Sequence, residues 1–203
     1  MILRLQFEGI RCFSAVQDAA IRPLTLLVGE NSSGKSTFLA LCQIASSIAT
    51  GFTQEFPFNE PPFLLGAYDQ IASYRGGRAG RAKSFSVAVS VGDGPRRGSI
   101  RAEFVSRNGQ PSLSVWRLAV GGLLWQVTLN GSRNAASLLL ESPQGKREIP
   151  LTRPFSGRLD FLRVPPEYWP GLLGINDPAA VFSKSDMKSL TTVLELIRKG
   201  FGQ

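Results

Sequence analysis

Residues 29–36 read Gly-Glu-Asn-Ser-Ser-Gly-Lys-Ser, the spacing GxxxxGK[ST], and nothing else in the 203-residue chain restricts its fold as sharply. The octapeptide follows Leu24-Thr25-Leu26-Leu27-Val28, a short apolar run bounded by Pro23 and Gly29. Such a run predicts a strand buried on both faces of an α/β sheet. After it, residues 35–49 hold no Gly or Pro, and Phe38, Leu41, Ala45 and Ile48 recur at spacings of three and four. That spacing predicts an amphipathic helix. Strand, glycine-rich loop and helix in this order make a phosphate cradle. Gly29 lets the chain turn off the strand end, and Gly34 brings the backbone close to phosphates with no Cβ in the way. The N–H groups of Asn31, Ser32, Ser33, Gly34, Lys35 and Ser36 then converge at the positive end of the helix. Lys35 is expected between the β- and γ-phosphates, Ser36 with its hydroxyl on Mg²⁺, and Thr37 within reach of the α-phosphate. The expected ligand is a nucleoside triphosphate.

Composition narrows the remaining chemistry. There is no histidine, so triads, Cys-His pairs and imidazole metal sites are excluded together. Cys12 and Cys42 are too few for a disulfide framework or a four-cysteine zinc site, and are expected as reduced, half-buried thiols. A hydrophobic content of 43% supports one core, or one core with a small appended subdomain. Lys+Arg 23 against Asp+Glu 15 leaves a net charge of +8, which favours anionic partners. The start, MILRLQFEGIRCF, alternates apolar and polar residues and has no signal-peptide pattern. The longest nearly apolar run, Leu118 to Trp125, contains two glycines and falls short of the ~20 residues a membrane helix needs. The expectation is a soluble, cytoplasmic protein without a membrane partner.

Along the chain, Ile2, Leu3, Leu5 and Phe7 predict a first strand, and residues 15–21 a weaker second one. Residues 51–66, rich in Phe and Pro, predict an ordered loop. From Ser84 to Pro150 five alternating segments follow: SFSVAVSV, SIRAEFVS, LSVWRLAV, LWQVTLN and ASLLLE. Gly, Asn and Pro punctuate them, as in an antiparallel meander. Residues 151–182 are irregular and proline-rich. A last helix opens at Ser183, with Asp186 three residues on as in a capping box, and stops at Gly200 after Arg198 and Lys199. The predicted fold class is α/β: a P-loop nucleotide-binding sheet, an antiparallel β subdomain and a C-terminal helix. The expected division is 1–70 for the nucleotide-binding half-domain, 71–150 for the β subdomain and 151–203 for the irregular segment and helix.

The segment Leu5-Gln-Phe-Glu-Gly-Ile-Arg-Cys-Phe13, followed by Arg22-Pro-Leu-Thr-Leu-Leu-Val-Gly-Glu-Asn-Ser-Ser-Gly-Lys-Ser-Thr-Phe-Leu39, resembles the N-terminal part of SMC/RecF-type ABC ATPases. Within that class it is most similar to the prokaryotic OLD-like and other AAA-type defence ATPases. The resemblance covers residues 1–48, with a weaker likeness over 61–77, where Phe63-Leu-Leu-Gly-Ala-Tyr-Asp-Gln-Ile71 resembles the segment after the first helix. It implies ATP with Mg²⁺ as ligand, and Asn31 and Ser33 as inner loop positions. It implies that Arg11 and Phe13 lie on a turn near the nucleotide. It also implies a Q-loop glutamine acting on Mg²⁺ and water beside Lys35; Gln70 is the candidate, with Asp69 and Gln54 as rivals. Hydrolysis in this class needs a Walker B strand ending in Asp-Glu and a signature segment presented by a partner.

Neither element is found in the sequence. Leu138-Leu-Leu-Glu141 runs into Ser-Pro-Gln-Gly and reads as a hairpin arm, and Asp160 sits inside its apolar run. Two functions follow. One is an ATPase portion activated by a homodimer mate or another partner that supplies these elements; the other is a nucleotide-binding scaffold or regulator without hydrolysis. A GTPase reading lacks NKxD and DxxG. Finally, Arg75-Gly-Gly-Arg-Ala-Gly-Arg-Ala-Lys83 puts four cations in nine residues, a candidate nucleic-acid contact or a solvated loop.

Overall fold

Side chains that alternate between apolar and polar give a strand one face for a core and one for water, and strands that pair in register join those faces. The computed structural model describes residues 3–50, 58–59, 61–92, 98–129, 136–142, 145–151, 168–169 and 183–200. Its strands are β1 (Leu3–Glu8), β2 (Gln17–Ile21), β3 (Ser84–Val91), β4 (Gly98–Arg107), β5 (Gln110–Val120), β6 (Leu123–Leu129), β7 (Ala136–Ser142) and β8 (Gly145–Leu151). The helices are α1 (Lys35–Thr50), the single turn α2 (Tyr68–Ile71) and α3 (Lys184–Gly200). All eight strands form one sheet in the order β2-β1-β3-β4-β5-β6-β7-β8, every pair antiparallel.

Register explains the core. Leu5, Val89, Ile100, Leu118, Trp125 and Leu140 face one another in succession from β1 to β7. Phe7, Val87, Ala102, Trp116, Val127 and Leu138 make the adjacent row on the same face, and all twelve residues are buried. Helix α1 covers this face: Phe7 and Phe38 meet edge to face at 5.9 Å, and Trp116 Nε1 donates to Ile48 O at 3.5 Å. Its buried positions Thr37, Ala40, Leu41, Ile44, Ala45, Ile48 and Ala49 keep the three–four spacing of a helix stripe. Helix α3 packs on the same side, with Val193 so close to Gly98 that a Cβ there would collide with it. One irregularity interrupts the meander. Glu103 pairs with Val115 and Phe104 with Leu113, leaving Ser114 as the extra residue, whose hydroxyl donates to Glu103 O at 3.1 Å.

Three features differ from expectation. Residues 24–28 are not a strand: Leu24, Leu26 and Val28 are 78%, 78% and 93% exposed. A strand needs a neighbour for its N–H and C=O groups. The sheet ends at β2, and no described strand pairs with this run. The expected nucleotide-binding sheet and β subdomain also share one ladder, because β1 pairs directly with β3 across residue 70. Finally, β8 has no counterpart among the expected strands, since Gly145, Lys146, Arg147 and Glu148 are all exposed and show no alternation. Charges suit it as the outer strand of the sheet. Glu141 does lie on a hairpin arm, opposite Lys146. Gln54, Asp160 and the side chains of Asp186 and Arg198 lie outside the described residues. Among the described residues no helix is long and apolar enough to cross a membrane.

Candidate functional site

After β1 the chain makes a tight turn, closed by Ile10 N to Phe13 O at 3.0 Å and Phe13 N to Ile10 O at 2.7 Å. Arg11 stands at its tip in a left-handed conformation, φ 46°. Neighbouring backbone holds the turn on both sides: Arg11 N donates to Ile71 O at 2.7 Å and Ser73 N to Gly9 O at 2.8 Å. The ring of Phe13 meets Phe7 edge to face at 4.9 Å, which ties the turn to the core under α1.

The glycine-rich loop approaches this turn from the other side. Gly34 has φ +95°, and a Cβ on it would lie 2.6 Å from Phe13 Cζ and 2.9 Å from Cys12 Sγ. The position is therefore closed to any side chain for two reasons, backbone sign and space. A Cβ on Gly29 would sit 2.7 Å from Ser33 Oγ, and Ser32 adopts φ 64°. Lys35 opens α1 with its side chain folded back over the loop, where Nζ donates to Gly29 O at 2.8 Å and Glu30 O at 2.6 Å. The ammonium is thus fixed beside the helix N-terminus, where the first N–H groups have no intrahelical partner.

Arg11 links the loop helix to a distant segment. Its guanidinium donates to Thr37 Oγ1 at 3.3 Å, Leu65 O at 2.9 Å and Gln70 O at 3.3 Å. Thr37 is buried, and its hydroxyl is already engaged by Arg11. Asn59 braces the same segment through both amide atoms, accepting from Gly66 N at 2.6 Å and donating to Gly66 O at 3.2 Å. Between turn and loop lies a cleft of about 410 Å³ lined by Arg11, Cys12, Asn31, Ser32, Gly34, Lys35, Ser36 and Thr37. Two cations and no carboxylate line it.

Gln70 is not brought into this cleft. Its Oε1 accepts from Ala67 N at 3.0 Å, closing the first turn of α2, while only its main-chain carbonyl meets Arg11. Asp69, exposed on the same turn, does not line the cleft either. The expected half-burial of both thiols holds for Cys42 alone, whose pKa burial pushes up; Cys12 is exposed at the cleft wall. The sequence carries no signal for the Leu65 carbonyl, which Arg11 reaches from 54 positions away, or for Asn59, whose amide closes on Gly66. Cys12, by contrast, lies between Arg11 and Phe13 on the turn that the resemblance puts near the nucleotide. The basic segment 75–83 stands apart from the cleft lining.

No family model matches the chain, and no curated protein matches it. A solved structure from work on ATP-driven dimerization and DNA-stimulated activation of SMC ATPases is similar over 59% of this chain and 69% of that one, with 16% identity and a TM-score of 0.41.

Proposed function

We propose that the chain is the ATP-binding portion of an ABC/SMC-like ATPase, using the cleft between the 10–13 turn and the 29–34 loop. The observation that carries the reading is the setting of Lys35: an ammonium held over a glycine-rich loop, at the N-terminus of a sixteen-residue helix, in a cleft with Arg11 and no acid. That donor set fits a polyphosphate, whose oxygens replace the Gly29 and Glu30 carbonyls around Nζ. Main-chain N–H groups of Asn31, Ser32 and Gly34 and the exposed hydroxyl of Ser36 supply the remaining donors, while Ser33 N is already bonded to Glu30 O at 3.2 Å. Among the described residues no three His, Cys, Asp or Glu side chains converge, so Mg²⁺ would enter on phosphate oxygens with Ser36 as its protein ligand. Arg11 then reads the nucleotide from the opposite wall and relays its position to Leu65 and Gln70.

Hydrolysis requires more than this cleft holds. No carboxylate lines it, and the Gln70 amide caps its own turn. The exposed Leu24, Leu26 and Val28 favour completion by other chain segments over a self-sufficient regulator. Those segments, from a longer parent chain, a second copy or a separate subunit, would bring the Walker B carboxylates and the signature. The process served is proposed, on the resemblance alone, to be defence against phage.

Calorimetry with Mg·ATP tests the site. Lys35→Ala removes a charge-assisted phosphate contact worth ~1.5–3 kcal/mol, so affinity should fall on the order of 10- to 150-fold. Equal affinities for both forms would place the nucleotide elsewhere.

A further inference from the structure

We propose that the loop from Tyr74 to Lys83 is a binding site for single-stranded nucleic acid, with Tyr74 as the stacking platform. The inference is independent of nucleotide binding in the cleft. This basic segment is ordered rather than a loose tether. Tyr74 and Arg81 form a bridge, Arg75 N donates to Gly80 O at 2.8 Å, and Gly77–Ala79 make one 3₁₀ turn between them. The glycines at 76, 77 and 80 all have positive φ, which only a glycine adopts without strain. The base of the loop is anchored on the core, where Ala82 N donates to Ser73 O at 2.9 Å and Tyr68 Oη to Ala82 O at 3.1 Å.

What this frame displays is specific. Tyr74 is 61% exposed, although a ring of that size is ordinarily drawn into cover. Arg81 lies over the ring with Cζ 5.3 Å from its centroid, held there by Nη1 donating to Ala72 O at 3.2 Å. Arg75, Arg78 and Lys83 are exposed on the same loop, and among the described residues none of the three has an ion-pair partner. No acid occurs anywhere from Ala72 to Val91. An exposed aromatic ring on a preorganised loop that carries four cations matches a strand of unpaired bases, which offers a π-face and a phosphate at each step. A duplex offers the same phosphates but keeps its bases stacked on one another, so Tyr74 would add nothing to it. An acidic polypeptide offers charge with no base to stack.

Fluorescence anisotropy on the full chain tests this with three probes: a fluorescein-labelled fifteen-nucleotide oligothymidylate, a duplex of the same length, and labelled polyglutamate. The single strand should bind tightest. Tyr74→Ala should weaken it by about 5- to 150-fold, the range for losing one base–aromatic stack, and Tyr74→Phe should restore it. Replacing Arg75, Arg78 and Lys83 with Gln should flatten the slope of log affinity against log salt by up to ~2.1, at ~0.7 per phosphate on a single strand. Arg81 is left in place because it props the loop. All four side chains are exposed, so thermal midpoints should stay at the parent value and confirm that binding, not folding, has changed. Duplex or polyglutamate binding as tight as the single strand, unchanged binding by Tyr74→Ala, or no binding by the parent chain would each overturn the assignment.

Discussion

At the scale of single residues, Gly34 shows how far a local pattern reaches. The octapeptide identifies it as the residue that cannot carry a Cβ, and the sequence assigns that to phosphate approach. The structure adds a second cause: the ring of Phe13 and the thiol of Cys12 already fill the space. Gly34→Ala should therefore destabilise the chain even without nucleotide. Left-handed strain costs about 1–3 kcal/mol, and crowding against Phe13 adds to it. For a chain of this size each kcal/mol lowers the midpoint by about 2–4 °C. Differential scanning calorimetry of the ligand-free variant checks this, and an unchanged midpoint would mean the loop does not press on the turn. Gln70 marks the limit of such reading. A glutamine in a plausible segment cannot reveal whether its amide faces a cleft or its own helix turn; only the position of Ala67 N, 3.0 Å from Oε1, decides. Arg11 and Thr37, 26 positions apart, meet for reasons no spacing rule contains.

At the scale of elements, periodic segments were legible and unpaired ones were not. The stripe of α1 and the alternation of β3 to β7 are set by which side chains must face a core, and their boundaries follow the sequence closely. The run 24–28 has the composition of a buried strand, but burial needs a second surface, and none of the described strands provides it. The single turn α2 is the opposite case. Four residues cannot hold a helix alone, so its existence rests on contacts: Tyr68 N to Gly109 O at 2.9 Å and Tyr68 Oη to Ala82 O at 3.1 Å. Tyr68→Phe should cost ~1 kcal/mol, the net worth of one such bond. Burial, and then the charge of Glu103, raise the Tyr68 pKa above the ordinary 10.0. The folded state thus retains the phenol proton where the unfolded state loses it. That contribution is complete below about pH 10 and is lost as pH rises through the folded value. The stability gap between parent and Tyr68→Phe, measured by urea titration, should shrink from pH 8 to pH 11. A gap that widens would put the phenolate, not the phenol, in the folded state.

At the scale of the whole molecule, the cleft proposed for the nucleotide holds cations and no carboxylate. The sheet brings the 10–13 turn and α1 together at this cleft, and the 65–72 segment is tied to it through Arg11. Glu141 lies near the end of β7, and β7 is five strands from β1 in the sheet order. At ~4.8 Å per strand that is roughly 24 Å along the sheet, too far for a group that must touch bound water or metal. Cations that hold a polyphosphate favour affinity, and they favour rate only so far as they hold the transition state more tightly than the ground state. Rate needs a base or a second ligand sphere placed at the γ-phosphate, and the described residues offer neither. The isolated chain is therefore expected to bind Mg·ATP and to release phosphate at a rate indistinguishable from background. A single-turnover assay with radiolabelled ATP, with and without DNA, measures this. Release at ~1 s⁻¹ or faster, within the ordinary range of enzymes, would show that the chain carries its own catalytic carboxylate and would remove the need for a completing partner.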